Sequence, residues 1–280
     1  MAYRQIIYEK SGAIANVTMN RPRYRNALSR LLLNELDDAF AKAAADDEVH
    51  VIILAGAGDH FSAGHDLGTP EEREGWKEIT RAGVPEQFKW SSDLYLGLSL
   101  RLRDIPKPTI AQVQGYCIFG AWIIASAMDL IVASDDALFL ASHFQYFSVP
   151  WDLGVRKTKE LLFRNRFVRA HEALELGFVN RVVRRERLEA ETLALAEEIA
   201  QNDPFGMRIA KLSVNQAQDA MGFRTAVTNA HARYMLLEIA GRVQSAADRE
   251  AGVRVLPNVA RALEKLSHER AETNMRNPQR

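Results

Sequence analysis

Little in this chain marks a secreted, membrane or nucleic-acid-binding protein. It holds one cysteine, Cys117, in 280 residues. A lone thiol rules out an intrachain disulfide framework and a multi-cysteine zinc site, and it fits a reducing cytoplasm. Cys117 lies in an apolar run, which predicts a packed core thiol rather than a reactive one. No stretch approaches the roughly 18 uninterrupted apolar residues that cross a bilayer. The opening MAYRQIIYEK lacks the apolar core and cleavage pattern of a signal peptide. Charge of one sign is also missing, since 36 basic residues balance 36 acidic ones with no long block of either. No nucleic-acid or membrane-surface partner is predicted from such a balance. The expected location is cytoplasmic, and no metal is expected.

What remains is core and pattern. An apolar share of 47% is ample for a buried core. The length exceeds the usual single domain, which predicts one large domain with an appended segment. YRQIIYE and AIANVTM read as strands separated by Ser11 and Gly12, and Pro22 ends the second. Ser29 is a good N-cap for LLLNELDDAFAKAAA, where Leu32, Leu33, Leu36, Phe40 and Ala43 recur at helical spacing. VHVIILAG is continuously apolar, as a strand covered on both faces would be. The glycine-rich turn GAGDHFSAGHDLG follows it. Residues 70–103 read as helices broken near Gly83, Val84 and Pro85. PTIAQVQG, DLIVAS and ALFLA read as strands, with FGAWIIASAM a short helix between the first two. After His143 the pattern turns helical, with RAHEALELG ended by Gly177, a last strand VNRVV, and helices over 186–202, 204–219 and 223–240. Repeated strand–strand–helix units favour right-handed winding over an antiparallel sandwich.

The stretch from Gly115 to Gly154 draws attention to His143 and Asp152, nine residues apart. A carboxylate beside an imidazole can fix its tautomer and support its positive charge, which makes a general base. The opposing reading has the loop drifted, with Asp152 capping a helix that starts near Leu153 or the pair belonging to the core.

Five pieces match one pattern in order: NRPRYRNALS (20–29), VIILAGAGDHFSAGHDLG (51–68), IPKPTIAQVQGYCIFGAW (105–122), RAHEALELGFVNRVV (169–183) and PFGMRIAKLSVNQA (204–217). The chain resembles the crotonase, or enoyl-CoA hydratase/isomerase, superfamily over roughly residues 3–240. The resemblance implies an α/β fold, a spiral of repeated ββα units over 1–200. A helical trimerisation region is expected over 201–266, and a frayed polar tail over 267–280. It implies a homotrimer or a dimer of trimers acting on an acyl-CoA thioester, with CoA as part of the substrate and no other cofactor. Family function rests on two backbone N–H groups that hold a thioester oxygen as it becomes an enolate. By resemblance these fall at His65 and Gly120, with Asp66 bracing the turn. CoA contacts fall at Arg25, Ala27, Ala63, Leu67, Gly68 and, commonly from a neighbouring subunit, Lys211. For Arg25 and Lys211 the competing reading is solvated surface charge.

The departures are as telling as the match. Typical hydratases carry a glutamate in the helix after the glycine frame and another about twenty residues on. Aligned without gaps, these positions are Ile123 and His143 here. The His143/Asp152 spacing resembles instead the 6-oxocamphor hydrolase-like branch of β-diketone hydrolases, which cleave a carbon–carbon bond by water attack on a ketone. Retention of NRPRYRNALS makes a β-keto acyl-CoA a better expected substrate than a free diketone. Trp122, Phe144, Tyr146, Phe147 and Trp151 would form an aromatic wall and favour a bulky or cyclic acyl group if they line the pocket. Hydration or isomerisation with His and Asp groups, and a catalytically silent CoA-binding subunit, stay open as alternatives.

Overall fold

A computed structural model describes residues 2–248 and 260–268. Ser29 caps α1 (Arg30–Ala45) by accepting a hydrogen bond from the Leu32 amide at 3.1 Å. The predicted stripe of Leu32, Leu33, Leu36, Phe40 and Ala43 is the face that α1 buries.

The strands are β1 (Ile6–Ser11), β2 (Ile14–Met19), β3 (Val51–Gly56), β4 (Thr109–Val113), β5 (Tyr116–Ile118), β6 (Leu130–Ser134), β7 (Leu138–Leu140), β8 (Val168–Arg169) and β9 (Arg181–Val183). One sheet runs β1-β2-β3-β4-β6-β9, antiparallel only between β1 and β2. The register aligns Val17, Leu54, Ala111 and Ile131 across four strands, and these residues belong to the main core. The alternate positions Val51, Ile53, Ile110 and Val132 face a second cluster with Leu188 and Ala196 of a later helix. Cover on both faces explains why VIILAG has no polar alternation. A smaller sheet runs β5-β7-β8. Strands β5 and β8, three and two residues long, are too short to show a sequence period.

The region 70–103 is α2 (Pro70–Arg81), α3 (Val84–Ser91), a π-helical turn at Ser92–Gly97 and α4 (Leu98–Arg103). The predicted break falls at Gly83, whose φ of +91° is glycine territory. Next come α5 (Gly120–Ser126), α6 (Val149–Leu153), α7 (Val155–Arg164), α8 (Ala170–Glu175) and α9 (Leu188–Ala200). After α9 come α10 (Pro204–Ala220) and α11 (Phe223–Asp248). Asp203 caps α10, accepting from the Gly206 amide at 2.7 Å. A helical piece over 260–268 places Ala262 and Leu266 among Ile118, Phe119 and Leu140. The architecture is the expected mixed α/β arrangement, a largely parallel sheet with a helical C-terminal region. Residues 249–259 of that region and 269–280 of the expected tail lie outside the described residues. Among the described residues no helix is long and apolar enough to cross a membrane.

Candidate active site

The two amides singled out in the sequence converge. Leu28 bridges His65 in parallel fashion, using the Leu28 amide to Gly64 O at 2.7 Å and the Asp66 amide to Leu28 O at 3.1 Å. That pairing skips the His65 N–H, which has no partner among the described residues. Gly120 opens α5, so its N–H has no intrahelical acceptor and is likewise unpartnered. A Cβ built on Gly64 would lie 3.2 Å from Gly120 N and 2.5 Å from Ile118 O, and one on Gly120 would lie 2.8 Å from His65 Nδ1. Both glycines are therefore required by close approach. Phe119 turns the chain into α5 with φ +57° and ψ −108°, a backbone state that costs of order 1–3 kcal/mol and concentrates at functional sites. Sequence reading missed Phe119, because a strained φ leaves no mark when the residue is not glycine.

Buried polar contacts hold the first amide in place. Asp66 accepts from the Thr69 amide, the Gly68 amide and the Thr69 hydroxyl at 2.9–3.1 Å. Its carboxylate also pairs with Arg21 at 2.8 Å, with both side chains nearly sealed from solvent. Burial pushes the Asp66 pKa up, but those amides and the guanidinium more than offset it, so the group lies below the ordinary carboxylate range. Asn26 has a left-handed φ of +52° and donates its amide to Ala57 O and His60 O. Ser62, fully buried, donates to Asn26 O at 2.7 Å and accepts from the Gly64 amide at 3.1 Å. Arg21, Asn26 and Ser62 went unmentioned as functional residues, although the first two lie in the NRPRYRNALS block. Arg25 is exposed, and its carbonyl accepts from the Ala63 amide at 2.9 Å. The Arg25–Ala27 and Ala63–Gly68 segments thus lie side by side, with Leu67 and Gly68 open to solvent.

The His65 imidazole is a separate matter from its amide. Its ring packs on Tyr95 at 4.6 Å and Phe144 at 5.6 Å between centroids. Its Nε2 is buried without a hydrogen bond, and burial lowers its pKa to about 4. The ring is neutral at neutral pH. His143, next to Phe144 in the chain, packs on Phe147 at 4.8 Å, and its pKa is lowered by burial and by the Arg233 charge.

The His143/Asp152 pair is not formed. Asp152 accepts from Trp122 Nε1 at 2.9 Å and Ser148 Oγ at 2.9 Å, with no hydrogen bond to His143. The physical reason lies in α6, which starts only at Val149. Residues 143–148 precede it as a non-helical turn, so the nine-residue spacing does not stack the two side chains. The helix-cap alternative also fails, because Asp152 lies inside α6 and α7 has no side-chain cap. Burial raises the Asp152 pKa to about 6, against the lowering effect of hydrogen bonds from Trp122, Ser148 and Ser126. A raised folded-state pKa stabilises the fold below the ordinary value of 3.8, and that contribution is lost as pH rises through about 6. Asp152→Asn is therefore expected to flatten the fall in melting temperature between about pH 4 and 7. Parallel slopes in wild type and variant would count against this account.

Other expected site residues lie elsewhere. Trp122 stacks on Phe178 at 4.1 Å with 2% exposure, so it is core rather than an open wall beside Gly120. Tyr146 and Trp151 pack edge-on against Phe223. Among the described residues only Phe144 and Phe147 of the expected aromatic wall pack on His65 or His143, and the argument for a bulky acyl group is lost with the others. Ile123, at the first glutamate position, is buried among Leu96, Tyr146, Phe223 and Val227. Lys211 is neither solvated nor bonded to the His65–Gly120 region, since its amine bonds Asp129 at 2.8 Å and Lys107 O at 3.0 Å. It ties α10 to the β4–β6 end of the sheet, as Asp129 also accepts from the Thr109 amide and hydroxyl.

Comparison with known proteins identifies the family and the fold. Residues 9–254 match the family described as enoyl-CoA hydratase/isomerase. A candidate enoyl-CoA hydratase of Mycobacterium tuberculosis, EchA13, is 38% identical over 80% of this chain and 78% of its own length. The crystal structure of a probable enoyl-CoA hydratase from Mycobacterium smegmatis shares 43% identity and a TM-score of 0.76, covering 82% of this chain and 93% of that one. An enoyl-CoA hydratase/isomerase from Xanthobacter autotrophicus Py2 shares 31% identity and a TM-score of 0.80, covering 94% and 99%.

Proposed function

The chain belongs to the enoyl-CoA hydratase/isomerase family of acyl-CoA-processing enzymes, and on that premise we propose a hydrolytic carbon–carbon cleavage of a β-keto acyl-CoA. The observation that carries the reading is the pair of unpartnered amides at His65 and Gly120. Two preorganised donors stabilise a thioester enolate whether it forms by proton loss or as a leaving group. Arg25, Ala27 and the turn Ala63–Gly68 are the proposed CoA contacts. Lys211 is left out within the chain because its amine is committed to Asp129.

The finer choice rests on proton carriers. Ile123 offers no acid or base, and Asp152 is engaged by Trp122 and Ser148. His143 remains, and its lowered pKa leaves it neutral and able to act as a base at neutral pH. It takes a proton from water as the oxygen attacks the β-keto carbon. The bond between the α and β carbons then breaks, and its electron pair becomes the enolate held at His65 and Gly120. Protonated His143 returns the proton to the α carbon. The products are a carboxylic acid at the former ketone and a saturated α carbon on the thioester.

A second reading is hydration of an enoyl-CoA by His143 alone, favoured by the names of the relatives at 38% and 43% identity. Incubation with β-ketoacyl-CoA and enoyl-CoA thioesters in oxygen-18 water separates the two by product mass. Cleavage yields a labelled carboxylic acid, whereas a labelled 3-hydroxyacyl product would overturn it in favour of hydration. His143→Ala is expected to lose at least about a hundredfold in turnover, the usual contribution of a general base. Undiminished turnover in that variant would remove His143 from the mechanism.

A further inference from the structure

A groove of about 580 Å³ opens beside the site and is lined by Leu67, by one face of α2 and by Glu238 of α11. Its size suits a small-molecule ligand. It begins two residues from the His65 amide. An unbroken run of aromatic contacts forms the wall between: Trp76 on Trp90 at 4.9 Å, Trp90 on Tyr95 at 5.4 Å, and Tyr95 on His65 at 4.6 Å. Along α2, Arg73, Lys77 and Arg81 recur every four residues and all line the groove. That spacing puts them on one helical face, spread over roughly 12 Å at 1.5 Å per residue.

The charges here are not used up within the fold. Lys77 pairs with Glu74 at 3.0 Å, and Glu72 is occupied by Arg30. The Arg73 amide donates to Thr69 O at 3.0 Å, but neither the Arg73 nor the Arg81 guanidinium makes an ion pair or hydrogen bond among the described residues. Glu238 is the one acidic side chain in the lining, against three cations. Trp76 and Leu67 supply apolar surface in the same lining as the guanidinium groups. An acyl chain that leaves the thioester along such a wall would end at paired donors suited to a carboxylate.

We propose that this groove takes acyl groups ending in a carboxylate, held by Arg73 and Arg81, so that the preferred substrates are CoA thioesters of dicarboxylic acids. The inference rests on the acyl-CoA reading above and names its substrate class.

The test compares adipyl-CoA with hexanoyl-CoA, which differ only in the terminal carboxylate, by calorimetric titration of wild type and the Arg73→Gln/Arg81→Gln variant. Glutamine keeps the helix and removes the charge. Wild type is expected to bind adipyl-CoA about tenfold more tightly, with the advantage shrinking as salt rises. The double variant should lose that preference and keep its hexanoyl-CoA affinity. Equal binding of the two thioesters by wild type would overturn the inference and leave the acyl-CoA reading intact. Equal weakening of both in the variant would also overturn it, placing the guanidinium groups on the CoA phosphates. Failure of both thioesters to bind wild type would overturn the acyl-CoA reading itself.

Discussion

Gly120→Ala is expected to lower kcat about 10²–10³-fold with the fold retained, the loss seen when one oxyanion-hole donor is removed. The added Cβ would lie 2.8 Å from His65 Nδ1, 2.9 Å from His65 Cε1 and 3.1 Å from Leu28 Cδ1. The imidazole cannot swing away freely, because Tyr95 and Phe144 pack against it. Either the ring is displaced with its backbone or the start of α5 moves, and both change the separation of the two amides. Interactions made only in the transition state show in kcat, so KM should change far less. Steady-state kinetics with a turned-over thioester, beside circular dichroism of the variant, checks this. Wild-type kcat in a folded Gly120→Ala protein would show that the Gly120 N–H is no donor.

Asp66→Ala should destabilise the protein by about 3–5 kcal/mol, the usual penalty for breaking a buried ion pair from one side. Arg21 and Asp66 have side-chain exposures of 9% and 3%, so the orphaned guanidinium cannot recover its loss in water. The Thr69 and Gly68 amides lose their acceptor as well. Urea unfolding at neutral pH with an unchanged m-value would measure the loss. A depressed folded-state pKa gives the sign of the pH dependence: the stabilisation is present above the ordinary value of 3.8 and is lost as pH falls below it. Wild-type and Asp66→Ala stabilities should therefore converge in acid. A difference under about 1 kcal/mol at neutral pH would show that the pair is not a structural brace.

Legibility in the sequence followed the range of each interaction. Ser29 and the Leu32–Ala43 stripe predicted α1 because capping and burial act within a few residues. The apolar run of β3 predicted a strand covered on both faces. Gly120 was readable as a close-approach position, whereas the equally tight approach at Gly64 came only from the structure. The π-helical turn at Ser92–Gly97 was not readable, because an i→i+5 pattern leaves no distinct apolar period in six residues.

By itself the sequence determined the strand and helix order, the glycine-rich frame around His65 and Gly120, and the absence of glutamate at positions 123 and 143. These are matters of residue type, local period and position. Only the tertiary structure decided which partner each polar side chain takes. Asp152 goes to Trp122 and Ser148, Lys211 goes to Asp129, and Trp122 turns its ring into the core. A buried charged or polar group binds whichever donor or acceptor packing brings within about 3 Å. Spacing along the chain cannot choose among candidates that the fold draws from distant segments. The convergence of the His65 and Gly120 amides was legible because their positions are set by backbone, and the acid–base pair was not because it would be set by packing.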